Sequence, residues 1–179
     1  MNYIRDYAMM VAIFSFASMA WFGWSQEEPP KSWRKYIGIL TGIALLLCLL
    51  GVYLSIKNWG EATALANEQS FIYYYVFVVL EFVIAGIGAF ILFQNTKGHY
   101  IAPWVCFIVG VHFFGLRYVF DDFSLNILGL LLVIVSGVSL YVSKNTKLTN
   151  STITGIISGT IFLVFGLFNL IRFFNRWLC

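Results

Sequence analysis

Hydrophobic side chains occur in six long runs, separated by shorter segments that hold most of the charged residues. A helix rises about 1.5 Å per residue, so about 20 apolar residues cross a hydrocarbon core of roughly 30 Å. The predicted spans are residues 7–24, 36–56, 71–93, 100–120, 124–142 and 152–174. The pattern therefore predicts an all-α, polytopic integral membrane protein, a six-transmembrane-helix bundle in which residues 1–179 form a single transmembrane domain.

The positions of the tryptophans support these bounds independently of hydropathy. Trp and Tyr have an apolar body and a polar tip, so they concentrate at the headgroup level of a membrane. Each tryptophan lies within about one helical turn of a predicted boundary or just outside it. These residues are Trp21, Trp24, Trp33, Trp59, Trp104 and Trp177. Phenylalanine, which lacks the polar tip, is spread through the runs, so two aromatic belts agree with six crossings.

The composition of the chain indicates which kinds of partner to expect. The chain is 60% hydrophobic and 11% charged, against about 25% charged residues in soluble domains, so a lipid bilayer is the expected surrounding. The net charge of +3 comes from scattered Lys and Arg rather than a basic stripe, which argues against nucleic acid. Cys48, Cys106 and Cys179 lack metal-ligand spacing, so no metal and no cofactor is expected. A small-molecule or lipid ligand and a homo-oligomer are left open.

An even number of crossings places both termini on one side of the membrane, which we call side A; the opposite side is side B. The predicted loops carry one more Lys or Arg on side B than on side A, and Lys31, Arg34 and Lys35 supply most of this excess. Cytoplasmic loops are usually the more basic ones. We therefore expect a multi-pass protein of the cell membrane with both termini outside.

One carboxylate stands near the middle of the third run. An ionised Glu81 there costs at least ~2.5 to 3.5 kcal/mol on insertion scales, so a partner or water must compensate it. His112 of the fourth run has nearly the same depth, since the two residues lie about 15 and 12 Å from side A. A short turn joins the two runs and predicts antiparallel neighbours. We therefore expect Glu81 and His112 to meet.

Such a pair favours two interpretations. Imidazolium and carboxylate stabilise each other's charge while burial opposes both, as in proton relays and in sites that polarise a ligand. The alternative is a buried Glu that hydrogen-bonds to a neighbouring helix and contributes only packing specificity.

Three further side chains are candidates for the same ligand- or proton-binding site. Tyr74, Arg117 and Asn169 lie nearer side A than Glu81 and are expected to collect in a polar vestibule that opens to side A. Arg117 is five residues from His112, about 140° around the helix. It can instead pair with Asp121 at the interface. Tyr74, within a run of three tyrosines, can instead belong to the headgroup belt.

The third and fourth runs resemble a group of small, uncharacterised bacterial membrane proteins. The resemblance lies in VVLEFVIAGIGAF, which contains Glu81, and in PWVCFIVGVHFFGLRYVF at residues 103–120, with its Trp, Gly, His, Phe pattern. The two runs are about a quarter of the chain. Gly115 stands where the pattern leads us to expect Pro. The resemblance implies a bacterial six-span protein and supplies no activity.

Three functions are therefore carried forward. The first is binding or transport of a small or amphipathic ligand in a cavity floored by Glu81 and His112. The second is a membrane-embedded enzyme acting on a lipid or isoprenoid, and the third is an accessory or assembly membrane subunit. The sequence contains no GxSxG, HExxH, CxxC or glycine-rich phosphate loop, which argues against a hydrolase or metalloenzyme of familiar type.

Overall fold

The computed structural model describes residues 3–177 in full and residue 178 by its backbone. Over this part of the chain it contains six long α-helices. They are α1 (Ile4–Ser25), α2 (Arg34–Lys57), α3 (Glu68–Gln94), α4 (Ile101–Phe120), α5 (Ser124–Asn145) and α6 (Asn150–Leu178). All six are long and apolar enough to cross a membrane. The predicted all-α six-helix bundle is confirmed.

Most helices extend past the apolar runs into polar sequence. α3 begins at Glu68, where the side chain of Asn67 accepts hydrogen bonds from the backbone N–H groups of Gln69 (2.9 Å) and Ser70 (3.3 Å). Such an N-cap satisfies backbone donors that the first helical turn leaves open. α4 is followed by Asp121, whose φ of 46° is a left-handed conformation that Asp tolerates better than most residues.

The helices pack as two groups joined by α6. α1 packs against α2 and α6, α4 packs against α3 and α5, and α6 also contacts α4 and α5. Small residues on α6 let α1 approach closely, and Ser18 Oγ of α1 donates a hydrogen bond to the backbone oxygen of Gly159 at 2.7 Å. Small residues at helix contacts are typical of membrane bundles, where close packing replaces the hydrophobic effect.

An aromatic cluster fills the centre of the bundle, where α1, α4 and α6 meet. The ring of Phe14 lies 5.9 Å from that of Phe113, 6.0 Å from Phe162 and 6.4 Å from Phe165, centroid to centroid. Its contacts with Phe113 and Phe165 are edge-on, an arrangement that aromatic quadrupoles favour. This cluster holds α4 at a fixed position relative to α1.

α3 lies at the periphery. None of its residues, all of which are described, is buried, and it packs mainly against α4. Its apolar window has the highest mean hydropathy of the six helices, 2.7. Most of the α3 surface therefore faces lipid, and its position depends on few contacts.

Side A of the bundle is held together by an ion pair. Arg172 of α6 donates to Asp122 Oδ2 at 2.6 Å, and its guanidinium lies 4.6 Å from the centre of the Tyr7 ring. Asp122 Oδ1 in turn accepts from the backbone N–H of Ser124 at 3.0 Å. These contacts connect the turn between α4 and α5 with α1 and α6, so the N-terminal end of α1 and the C-terminal part of α6 lie together.

Candidate functional site

Two contacts between a glycine and an aromatic ring position α3 on α4. A Cβ atom added at Gly88 would overlap the indole of Trp104, and one added at Gly115 would lie 2.6 Å from Cε1 of Phe77. Trp104 Nε1 also donates to the backbone oxygen of Ala85 at 3.3 Å. The two contacts lie on either side of residue 81 along α3, so they fix the register of the two helices.

This register brings Glu81 and His112 together. His112 Nδ1 hydrogen-bonds to Glu81 Oε2, as the depth count predicts. Because a carboxylate only accepts, the proton of this bond belongs to Nδ1 when Glu81 is ionised. The side chains are 10% exposed for His112 and 14% for Glu81.

The imidazole is only partly satisfied by the protein. Its ring stacks on Phe113, with centroids 5.0 Å apart, which fixes the ring plane. Nε2 is shielded from solvent and has no hydrogen-bond partner within residues 3–178. Buried polar atoms without a partner are uncommon in folded proteins and often mark a site where something else binds.

The pair borders a cavity of about 510 Å³ between α1, α3 and α4. Small-molecule sites in proteins typically measure about 300–1,000 Å³. The lining consists mainly of apolar and aromatic side chains. Its residues include Met9, Met10, Ile13, Phe14, Phe16, Ala17, Ala20, Trp21, Trp24, Tyr74, Val78, Phe82, Ala85, Val105, Val109, Phe113, Leu116 and Phe120. The cavity therefore suits an apolar occupant with a small polar group.

The cavity opens sideways, toward the bilayer. Ile13 and Phe16 of α1 and Phe82 of α3 line it and are exposed at 48%, 58% and 72%. Its lining on α1 runs from Asp6 to Trp24, which is about 27 Å of helix, close to the thickness of a hydrocarbon core. The exposed side of the cavity is therefore the gap between α1 and α3, and the Glu81–His112 pair belongs to the same lining.

The side-A end of the cavity is covered by the loop between α2 and α3. Asp6 at the start of α1 is buried and accepts hydrogen bonds from Thr63 Oγ1 at 2.5 Å and from the backbone N–H of Ala64 at 2.9 Å. The next residue of the loop, Leu65, lines the cavity. We expected a polar vestibule open to side A; at this end the lining instead consists of Leu65 of the loop and Asp6, which is hydrogen-bonded to that loop.

Of the remaining candidate residues, Tyr74 joins the pair in the cavity lining. Its ring meets Phe120 edge-on, with centroids 6.1 Å apart.

Asn169 and Arg117 lie outside the lining. Asn169 is fully buried on α6, where its Nδ2 donates to the backbone oxygen of Phe165 at 2.9 Å. The Arg117 guanidinium lies 5.2 Å from the centre of the Tyr118 ring and 5.5 Å from that of Phe123. Neither contributes to the geometry around the pair, and a role for them in binding stays a prediction.

The sequence analysis did not identify α1 as one wall of the cavity. Its lining residues recur at steps of three and four, as in Met10, Phe14, Ala17, Trp21 and Trp24. Trp21 and Trp24 stack with ring centroids 5.4 Å apart. Ala17 and Ala20 are small residues of this lining that leave room beside α1, but nothing in the sequence shows which helix lies opposite them.

The polar groups of the cavity can form hydrogen bonds and exchange protons. In the described part of the lining, the polar side chains are those of Asp6, Tyr74, Glu81 and His112 and the two indoles. None of these described lining residues is a Ser, Thr, Cys or Lys that could act as a nucleophile. The described residues also contain no group of three or more His, Cys, Asp or Glu side chains able to hold a metal.

No protein-family model, curated protein or solved structure matches this chain. The resemblance of the third and fourth helices to small bacterial membrane proteins therefore stays a prediction, and the site is interpreted from its geometry.

Proposed function

We propose that this protein binds an amphipathic, lipid-like molecule that enters from the bilayer between α1 and α3, with the Glu81–His112 pair as its polar anchor. One observation carries the proposal: a paired acid and imidazole at mid-depth border an apolar cavity of about 510 Å³. A pair that served packing alone would be expected in a dry, fully bonded niche, since unsatisfied polar groups are costly in lipid.

Transport of the same ligand is compatible with this site. α3 forms one wall and has no buried residue in a helix that is described throughout, so a movement of α3 would break fewer buried contacts than a movement of α1 or α6. We rank binding first because it requires only the cavity.

A membrane-embedded enzyme is the second candidate, and the lateral opening favours it. In such an enzyme Glu81 and His112 would act as general acid and base. Conversion of the bound lipid in reconstituted vesicles would decide for this candidate.

The binding proposal is tested by photolabelling in lipid nanodiscs. We would use three hexadecyl probes that carry a diazirine in the chain and end in a hydroxyl, a carboxylate or a trimethylammonium group. Mass spectrometry then locates the labelled residues. At least one probe is expected to label α1 residues such as Ile13 and the α3 residue Phe82 saturably, and an unlabelled analogue is expected to compete.

Two variants make this test specific. Ala17→Phe places a ring in the cavity and is expected to reduce the saturable labelling severalfold. Val138→Phe adds the same kind of bulk to α5, where Val138 is 40% exposed and outside the lining, and should leave labelling unchanged. If all three probes label exposed residues uniformly and without saturation, the proposed function fails.

A further inference from the structure

The cavity lining lacks a cation that could hold an anionic head group. None of its described residues is Lys or Arg, and its acidic members are Asp6 and Glu81. The nearest basic side chain in sequence, Arg5, donates to the backbone oxygen of Trp59 at 2.8 Å and lies 4.0 Å from the centre of that indole. Arg5 is therefore directed to the loop rather than to the cavity.

Both acids already accept hydrogen bonds within the protein, Asp6 through both carboxylate oxygens and Glu81 through Oε2. Asp6 accepts from Thr63 Oγ1 and from the backbone N–H of Ala64, and Glu81 accepts from His112. If His112 is protonated, its pair with Glu81 has no net charge; if it is neutral, the pair carries one negative charge. In neither state does the site offer an excess positive charge to a carboxylate or phosphate.

One hydrogen-bonding atom of the pair has no partner in the protein, and an uncharged group can supply that partner. His112 Nε2 has no partner within the described chain, and its side chain is nine-tenths buried. This nitrogen accepts a hydrogen bond in the neutral imidazole that keeps its proton on Nδ1, and donates one in the imidazolium. A hydroxyl pairs with either form, because it can donate to neutral Nε2 or accept from the imidazolium, whereas a carbonyl oxygen pairs with the imidazolium, because it only accepts. Neither brings a charge to mid-depth, where charges are costly.

Resting on the proposed function, we infer that the ligand is an uncharged, single-chain lipid whose hydroxyl or carbonyl oxygen hydrogen-bonds at the Glu81–His112 pair. Its chain lies along α1 in the apolar part of the cavity, among residues such as Ala17 and Trp21. Long-chain alcohols and ketones, and quinones or quinols with an isoprenoid chain, share this chemistry. Fatty acids, phospholipids and cationic amphiphiles do not.

The experiment measures competition in nanodiscs against whichever photoprobe labels the cavity saturably. The competitors are hexadecanol, a methyl ketone and a quinone of similar chain length, hexadecanoate, and hexadecyltrimethylammonium. The uncharged competitors are expected to displace the probe at roughly tenfold lower mole fraction than the two charged ones, which is the effect of one good hydrogen bond. Comparing the alcohol, ketone and quinone identifies which oxygen chemistry is preferred.

His112→Phe keeps an aromatic ring against Phe113 and removes both nitrogens, so it should abolish the preference for uncharged competitors. If the His112→Phe variant does not elute as a single species, the same test is made with His112→Gln. A preference for the carboxylate or the ammonium, equal competition by all head groups, or a preference that survives loss of the imidazole would overturn the inference while the proposed function stands. If no probe labels saturably, it is the proposed function that has failed.

Discussion

Adding a side chain at Gly88 is expected to separate α3 from α4. The atoms nearest to a Cβ there are Nε1, Cε2 and Cζ2 of the Trp104 indole. A leucine at this position would displace the indole and break its 3.3 Å hydrogen bond to the backbone oxygen of Ala85. Because this contact helps to set the register of the two helices, the Glu81–His112 bond is expected to weaken as well.

The magnitude follows from two contributions. Overpacking at a close contact costs about 1–3 kcal/mol, and the lost hydrogen bond costs about 1 kcal/mol more. Leucine also gains about 1 kcal/mol over glycine in helix propensity. Gly86→Leu is a matched control on the same helix, because an added Cβ there has nothing within 4 Å. The gain in helix propensity is the same in both variants and cancels when they are compared. Gly88→Leu is therefore expected to be less stable than the control by roughly 2–4 kcal/mol.

The assay is reversible unfolding in mixed micelles with increasing SDS, followed by far-UV circular dichroism and tryptophan fluorescence. Gly88→Leu should unfold at a clearly lower SDS mole fraction than wild type, and Gly86→Leu at a similar or slightly higher one, since it keeps the gain in helix propensity. The binding assay gives a second readout, since only Gly88→Leu should also reduce saturable photolabelling. Equal unfolding midpoints for the two leucine variants would refute the view that a ring packed on Gly88 holds α3 in place.

Two further predictions concern side A. Asp6→Ala removes both loop hydrogen bonds and should cost about 1–3 kcal/mol. It should speed proteolytic cleavage of the loop between α2 and α3, whereas Glu61→Ala, an exposed change in the same loop, should not; equal cleavage would argue against Asp6 as the loop's anchor. Arg172→Gln leaves the buried Asp122 without its guanidinium and should cost about 1–3 kcal/mol in SDS unfolding. The exposed Arg176→Gln should change stability by less than about 0.5 kcal/mol, and similar losses for both would contradict the ion pair's role.

The six crossings were predictable because lipid imposes one simple constraint, a helix of about 20 apolar residues. The ends of the helices were less so. α3 begins at Glu68 and not at Phe71, because the side chain of Asn67 caps polar residues that hydropathy assigns to a loop. Backbone hydrogen bonding, rather than apolarity, sets these boundaries.

The similar depth of Glu81 and His112 was predictable from the sequence. Two antiparallel helices joined by a short turn rise equally per residue, so residues at equal distance from the turn lie at equal depth. Direction around the helix axis was the uncertain part. Two glycine–aromatic contacts, at Gly88 and Gly115, supply it, and the sequence shows the glycines without showing which rings they receive.

The wall formed by α1 and the separation of Asn169 and Arg117 from the cavity could not be predicted. Both depend on which helices pack together when they are not neighbours in the sequence. No local pattern specifies that α6 packs against α1 while α3 packs mainly against α4. Asn169 has a suitable polarity but is fully buried on α6 away from the lining. Arg117 has a suitable depth, but its guanidinium lies against Tyr118 and Phe123.

The central claim is that a carboxylate and an imidazole meet at mid-depth in the membrane, beside a cavity. Magic-angle-spinning NMR tests it most directly, by dipolar recoupling between Glu81 ¹³Cδ and His112 ¹⁵Nδ1 in protein reconstituted in lipid vesicles. The account predicts strong dephasing, as expected for directly hydrogen-bonded groups, and its loss in Gly88→Leu but not in Gly86→Leu. An absence of dephasing between these two nuclei in the folded wild-type protein would contradict it.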